Sequence, residues 1–367
     1  MTKKILISGY YGFNNSGDDA ILKVLTQQLK EIGEKVEIVA LSNQVEQTEK
    51  NYNIRAINRY NLLQITKEMK SCDLFISGGG TLLQDGTSNR SLYYYLMLLH
   101  LAKKHCKRVM VFANGMGPIK SGFNRRRTLE MLKKVDVITL RDQDSYDFLM
   151  ELGLKHPKIS VTFDPVFMMK SIEQNRINRI FEEENLDFDK KYIGISVRPW
   201  KEGQYIESGV KALVKSICDK GYEVVFIPMQ HPHDDKISQS IIDQLDDNSR
   251  VHCLKGCYEA DEMIGIMSKM DYIVAMRYHA LIYAILSQRA LTAISYDPKV
   301  RGLMDMLKVN SVCSMAQLRE GELDNIVEKG IVDKSKTIDL LEMSHDEKLK
   351  SAYENIEIIK ELLEGIE

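Results

Sequence analysis

Short apolar runs, each closed by glycine, proline or a charged residue, alternate along this chain with stretches whose apolar residues recur at helical spacing. The first series of runs is Lys4–Gly9, Lys35–Leu41, Ser71–Thr81, Arg108–Ala113, Asp136–Leu140 and Ile159–Phe163. The second is Tyr192–Val197, Glu223–Pro228, Val251–Leu254, Tyr272–Ala275 and Leu291–Ser295. Continuous apolar runs of this kind read as strands buried on both faces, as in parallel sheets. The stretch after the first run places Ile21, Leu22, Leu25 and Leu29 on one helical face. Strands alternating with helices predict doubly wound parallel sheets. Between the two series, 170–191 is charged, carries Glu182–Glu184 together and has no strand signal. The expected architecture is therefore α/β, with two Rossmann-like domains facing across a cleft. Their expected bounds are 1–170 and 192–340, joined by a linker at 171–191. At 341–367, Leu349, Ala352, Ile356, Ile359 and Leu363 predict an amphipathic helix that crosses back to the first domain.

Composition narrows the function classes. The 367 residues are 44% hydrophobic and 28% charged, with a net charge of −2 and no long basic block, so nothing points to nucleic acid. The N-terminus enters a strand directly, without a secretory leader, and no apolar run is long enough for a membrane span. A cytoplasmic protein is expected. Six scattered cysteines suit free thiols, and Cys253 and Cys257 have no second pair to complete a zinc site. His231, His233 and Asp234 sit close together, but a metal set would need a further ligand at motif spacing. No metal and no cofactor are expected.

The candidate chemistry gathers at strand ends. Ala275–Ala284 reads AMRYHALIYA, so Arg277 and His279 stand where a strand hands over to a helix. In an open α/β sheet that carboxyl edge is where ligands bind. Arginine offers a fork for carboxylate or phosphate, and histidine gives up a proton near neutral pH. The plain structural alternative is an arginine paired with a nearby aspartate and a histidine satisfied by a carbonyl. Arg141, Arg198 and Lys299 also follow strands, and together these cations suit a small substrate with several negative charges. Trp200, the one tryptophan, is either a stacking platform or packing. The loop Tyr10–Asp19 and the run Gly78–Gly80 put bare backbone at other strand ends. The spacing of Gly9, Gly12 and Gly17 is not that of a dinucleotide site, and Ser42-Asn43 supplies no ribose acid. No nucleophile triad and no P-loop is present. By themselves these residues support an anion-handling transferase with general acid catalysis.

Six motifs in order, GYYGFNNSGDDAIL, SGGGTLLQD, LRDQDS, SVRPW, AMRYHALIYA and SYDPK, resemble those of the polysaccharide pyruvyl transferase family, and most of all its CsaB-type enzymes of bacterial cell-wall polymer synthesis. The resemblance runs from Lys4 to about Lys308. Asn15-Ser16 and Asn114 depart from the family pattern. It implies a GT-B-like fold and transfer of pyruvate from phosphoenolpyruvate to a sugar as a cyclic ketal. The implied acceptor is N-acetylmannosamine in a lipid-linked precursor, whose ketal helps retain surface-layer proteins. On this reading His279 is the general acid, Arg277 and Arg141 hold carboxylate and phosphate, and Lys299 and Arg198 assist. Phe13, Asn14, Asn15, Gly17, Asp18, Gly79 and Gly80 would contact donor or acceptor. A lipid-linked acceptor implies peripheral contact with the inner membrane face, for which Arg125–Arg127 is one candidate surface. Two other readings stay open. One is a GT-B glycosyltransferase using a nucleotide sugar, with Glu259, Asp261 or Glu262 at the ribose. The other is a non-catalytic protein that binds an anionic sugar.

Overall fold

The computed structural model describes residues 2–32, 35–86 and 88–366. The chain forms two compact units: the first comprises Met1–Phe13, Asp18–Met168 and Glu347–Glu367, the second Asn14–Gly17 and Met169–Asp346.

The first unit is built on seven parallel strands: β1 (Lys3–Tyr11), β2 (Val36–Ser42), β3 (Arg55–Asn58), β4 (Leu74–Leu83), β5 (Arg108–Met116), β6 (Val137–Leu140) and β7 (Ile159–Val161). Their order is β3-β2-β1-β4-β5-β6-β7. Ile5 pairs with Ile38 on one side and Leu74 on the other, which sets β1 at the centre. Leu6, Val39, Phe75, Val109 and Val111 lie in one core with Leu92, Leu98 and Leu99 of the helix Asn89–His105. β3 was not among the expected strands. It is four residues long, and both its ends, Arg55 and Asn58, are exposed.

The glycines after Ser77 do not end the strand. β4 continues through them, with Gly79 at φ 38° and Gly80 at φ 71°, and its register against β5 shifts between Gly80 and Leu83. Only glycine takes such angles without a Cβ penalty. The helix Ser16–Glu31 buries Ile21, Leu22, Leu25 and Leu29, as their spacing predicts. Of the consecutive tyrosines Tyr93–Tyr95, Tyr95 is buried, whereas Tyr93 is exposed.

The long helix Lys334–Glu364 buries Ala352, Ile356, Ile359 and Leu363. Asn355, fully buried within the first unit, accepts hydrogen bonds from the hydroxyls of Thr139 (2.7 Å) and Thr162 (2.9 Å) and donates to the Phe163 carbonyl (3.1 Å).

The second unit has six parallel strands: β8 (Tyr192–Ser196), β9 (Glu223–Phe226), β10 (Val251–Cys253), β11 (Tyr272–Ala275), β12 (Leu291–Ser295) and β13 (Val312–Ser314). Their order is β10-β9-β8-β11-β12-β13. The charged segment before β8 forms the helix Gln174–Glu183, whose Ile177, Ile180 and Phe181 are buried. Both sheets are all-parallel and covered by helices, so the α/β class holds. Among the described residues no helix is long and apolar enough to cross a membrane.

Candidate active site

The strand order of the second sheet reverses between β8 and β11. Loops leaving these two strands diverge to opposite sides, and the crevice between them is where such sheets bind ligands. β8 delivers Arg198 to this point, β11 delivers Arg277 and His279, and β12, next to β11, delivers Tyr296 to Lys299. Strand chemistry explains the placement. Each apolar run must end where its side chains leave the core, and polar residues follow immediately.

Arg277 is the N-cap of the helix Tyr278–Leu286 and is 9% exposed. Its Nε and Nη2 both meet the carboxylate of Asp234, and Nη2 also donates to the Gln230 side chain at 3.1 Å. Asp234 is fully buried and accepts two further bonds, from the backbone N–H of Met229 (3.1 Å) and Gln230 (3.0 Å). A bidentate pair with these extra donors satisfies both charges. The plain structural alternative for Arg277 is thus part of what is found. Its Nη1 has no hydrogen-bond partner among the described residues.

His279, half-buried, lies two residues on and meets Gly17. A Cβ at Gly17 would stand 1.9 Å from the imidazole Nδ1, so only glycine admits the ring in this position. The turn before Gly17 is fastened within the same unit. Asn15 pairs with Gln230, Ser16 N–H donates to Met229 O (2.9 Å), and the Tyr283 hydroxyl donates to Ser16 O (3.0 Å). The structure therefore gathers Asn15 and Gly17 with Arg277 and His279, two motifs that lie far apart in sequence.

Arg198 donates to the Tyr296 hydroxyl (3.0 Å) and lies 5.3 Å from the Trp200 ring and 5.2 Å from the Tyr296 ring. Trp200 packs edge-on to Tyr296, so it belongs to this cluster. Lys299, in the first turn of the helix Pro298–Met306, donates its N–H to Asp297, and its side chain is half-buried. Ser196, at the end of β8, is 1% exposed with its hydroxyl unpaired among the described residues.

Of the remaining expected residues, Asn14 belongs to the second unit, and Phe13, Asp18, Gly79, Gly80 and Arg141 belong to the first, whose sheet reverses between β1 and β4. Gly80 lies against Asp18: a Cβ there would meet its carboxylate at 2.8 Å. Gly79 makes room for Ile21. Asn14, at φ 51°, is exposed, and Phe13 stacks on Tyr10 at 4.1 Å. Arg141 is not an open-edge cation: it is 2% exposed, its Nη1 meets Asp164 at 3.2 Å and its Nη2 donates to Thr81 at 3.1 Å.

Three features here escaped the sequence reading. Asp234 anchors Arg277 rather than joining a metal set, and His231 pairs with Asp235. Arg59, 5% exposed, has no carboxylate in ion-pairing range among the described residues. Five rings, those of Tyr10, Phe13, Tyr60, Tyr94 and Tyr95, surround it at 4.7–6.0 Å, and it donates to the Gly9 carbonyl at 3.0 Å. Cation–π attraction takes the place of an acid there. Tyr11 covers Gly9 and Gly78, and burial first, then Asp18, pushes its phenol well above its ordinary range. The acids considered for a ribose are engaged locally. Glu259 and Glu262 form a capping box on the helix Ala260–Met267, and Glu262 also binds Arg176 at 2.7 Å.

Comparison with known proteins fixes the fold and the family. UDP-GlcNAc 2-epimerase from Neisseria meningitidis, solved with UDP-GlcNAc, has a TM-score of 0.66 at 15% identity over 99% of both chains. S. aureus MnaA, solved with UDP, has a TM-score of 0.66 at 12% identity over 98% of this chain and 95% of its own. Anabaena Alr3699/HepE, solved with UDP and glucose, has a TM-score of 0.65 at 13% identity over 99% of both chains. At these identities the likeness is one of fold, and it bears out the GT-B-like class. No curated protein matches this chain. The family model for polysaccharide pyruvyl transferase matches residues 15–298. Its span runs from the turn that meets the imidazole to the residue before Lys299, and the chain belongs to the polysaccharide pyruvyl transferase family.

Proposed function

We propose that this transferase moves pyruvate from phosphoenolpyruvate onto two hydroxyls of one sugar, giving a cyclic ketal and phosphate. The observation that carries the reading is the pairing of Arg277 and His279 at the reversal point of the second sheet, with the imidazole seated on Gly17. Phosphoenolpyruvate bears a carboxylate and a phosphate, so it needs fixed cations beside a proton donor. His279 gives a proton to the methylene carbon, which becomes the methyl group. The neighbouring carbon acquires oxocarbenium character and accepts the first sugar oxygen. Phosphate then leaves with its bonding electrons, and the second oxygen closes the ring. The two hydroxyl protons balance the step: one restores His279 and the other leaves on phosphate.

Lys299, Arg198 and the outer edge of Arg277 hold the anionic groups, and their charge stabilises the departing phosphate. Arg141, buried on Asp164, is a positioning residue for the β4 edge. Phe13, Asn14, Asn15, Asp18, Gly79 and Gly80 are assigned to acceptor or donor contacts. The acceptor we assign is the 4,6-diol of N-acetylmannosamine in a lipid-linked cell-wall precursor, on the likeness of the motifs to CsaB-type enzymes. Such an acceptor puts the reaction at the inner membrane face.

Thermal shift with phosphoenolpyruvate against a panel of nucleotide sugars tests the donor, because a ligand of the folded state raises its melting temperature. Phosphoenolpyruvate should stabilise the protein, and Lys299→Ala should reduce the shift. His279→Ala should keep the shift and lose phosphate release by about 10²–10⁴-fold, the usual worth of a general acid. Turnover unchanged in His279→Ala would remove the general-acid role. Stabilisation by a nucleotide sugar alone would replace the reading with the glycosyltransferase one.

A further inference from the structure

Five large apolar side chains of the first unit stand in solvent at the starts of three helices. They are Tyr60 (62% exposed), Leu62 (44%), Leu63 (88%), Tyr93 (37%) and Phe123 (62%). The helices are Leu62–Met69, Asn89–His105 and Gly122–Leu132, which follow β3, β4 and β5. Their first turns therefore lie at the same carboxyl edge of the sheet.

Contacts link Tyr93 to Phe123 and bring Tyr60, which Leu62 and Leu63 follow in the chain, against the helix that carries Tyr93. The Tyr60 ring lies 6.3 Å from that of Tyr94, the neighbour of Tyr93. The Tyr93 hydroxyl donates to Asn124 at 2.9 Å, and Arg127 lies 5.4 Å from the Tyr93 ring and 5.2 Å from the Phe123 ring. Cations rim this apolar surface: Arg90, Lys120, Arg125, Arg126 and Arg127 are all exposed. The acids on the same segments are engaged. Asp85 accepts from the N–H groups of Lys120 and Ser121 and from Asn124, and Glu130 pairs with Lys133 at 2.8 Å.

We propose that this face docks on an anionic bilayer surface. Leucine and phenylalanine would enter the boundary between headgroups and acyl chains, tyrosine would sit at headgroup level, and the arginines would meet lipid phosphates. Charge complementarity selects this occupant. A second copy of the chain would set the basic rim against itself, whereas an anionic leaflet neutralises it. The proposal does not depend on the transfer chemistry, but it says where a lipid-linked acceptor would be met.

Sedimentation of the full chain with vesicles tests it, comparing phosphatidylcholine alone with phosphatidylcholine containing phosphatidylglycerol. The protein should pellet with the anionic vesicles and be released by added salt, because the rim attraction is screened. Leu63→Glu and Phe123→Glu should each reduce the bound fraction at least tenfold, and Arg126→Glu should weaken binding with the apolar residues intact. These side chains are exposed, so the variants should keep the wild-type melting curve and the wild-type response to phosphoenolpyruvate. That response separates failure here from failure of the donor assignment. Absence of binding to anionic vesicles, or binding indifferent to Leu63→Glu and Phe123→Glu, overturns the proposal. So does self-association in sedimentation velocity that Leu63→Glu abolishes while vesicles go unbound, since a second copy would then cover the face.

Discussion

Arg277 and Asp234 form a largely buried pair in which the carboxylate is fully enclosed and only the outer edge of the guanidinium reaches solvent. Removing the cation strands a buried carboxylate, so Arg277→Ala should lose about 3–5 kcal/mol of stability, read as a lowered midpoint in urea. A midpoint within experimental error of wild type would show that water reaches Asp234. This coupling also means that lost turnover in Arg277→Ala does not by itself report substrate contact, which makes Lys299 and His279 the cleaner probes. Single residues were unevenly legible in sequence. Arg277 and His279 stood out because they interrupt apolar neighbours at a strand end. Asp234 did not, because its partner lies 43 positions away and its nearest neighbours suggested a metal. Arg59 was invisible for the same reason in stronger form. Its surroundings are rings from three separate stretches, and no local pattern announces a cation held without an acid.

Elements were read best where burial is two-sided. β1, β4, β5, β8 and β11 are continuous apolar runs because helices cover both faces of each sheet, and such runs need no alternation to be seen. β3 escaped because only Ala56 and Ile57 are buried in it. Besides its pairing with β2, β3 is tied by charge: Glu68, in the following helix, binds Arg55 at its start and Lys4 of β1. Burial alone would raise the Glu68 pKa, but hydrogen bonds from Lys4 and Arg55 outweigh it and hold the carboxyl below its ordinary value. A depressed carboxylate stabilises the fold above its unfolded-state pKa and ceases to do so as pH falls through the folded value. Glu68→Gln should therefore cost stability at neutral pH and progressively less below about pH 4.5, in urea melts across that range. A constant difference down to acid pH would remove Glu68 from the titration. The glycines of β4 show a second limit. Their run marked bare backbone correctly, but whether a strand turns or kinks there depends on a register set by β5.

For the whole molecule, two sheets with the same reversal of strand order account for a fold shared with proteins of quite different chemistry, so fold alone leaves function open. The family match and the histidine at the reversal point narrow it. Chain path adds something that sheet order does not. A chain ending at Asp346 leaves Thr139, Thr162 and the Phe163 carbonyl without Asn355 and uncovers the surface under Ile356, Ile359 and Leu363. Such a truncation should lose cooperative thermal unfolding of the first unit, followed by circular dichroism, whereas an unaltered melt would make those contacts dispensable. The same path imposes an order on biosynthesis. The ribosome releases β1 to β7 early, yet residues 347–366 follow only after the whole second unit has been translated. Until then the nascent first unit carries an open apolar seam with unanswered hydroxyls, so the early part of the chain is the natural client for a chaperone that holds it while the remainder is made.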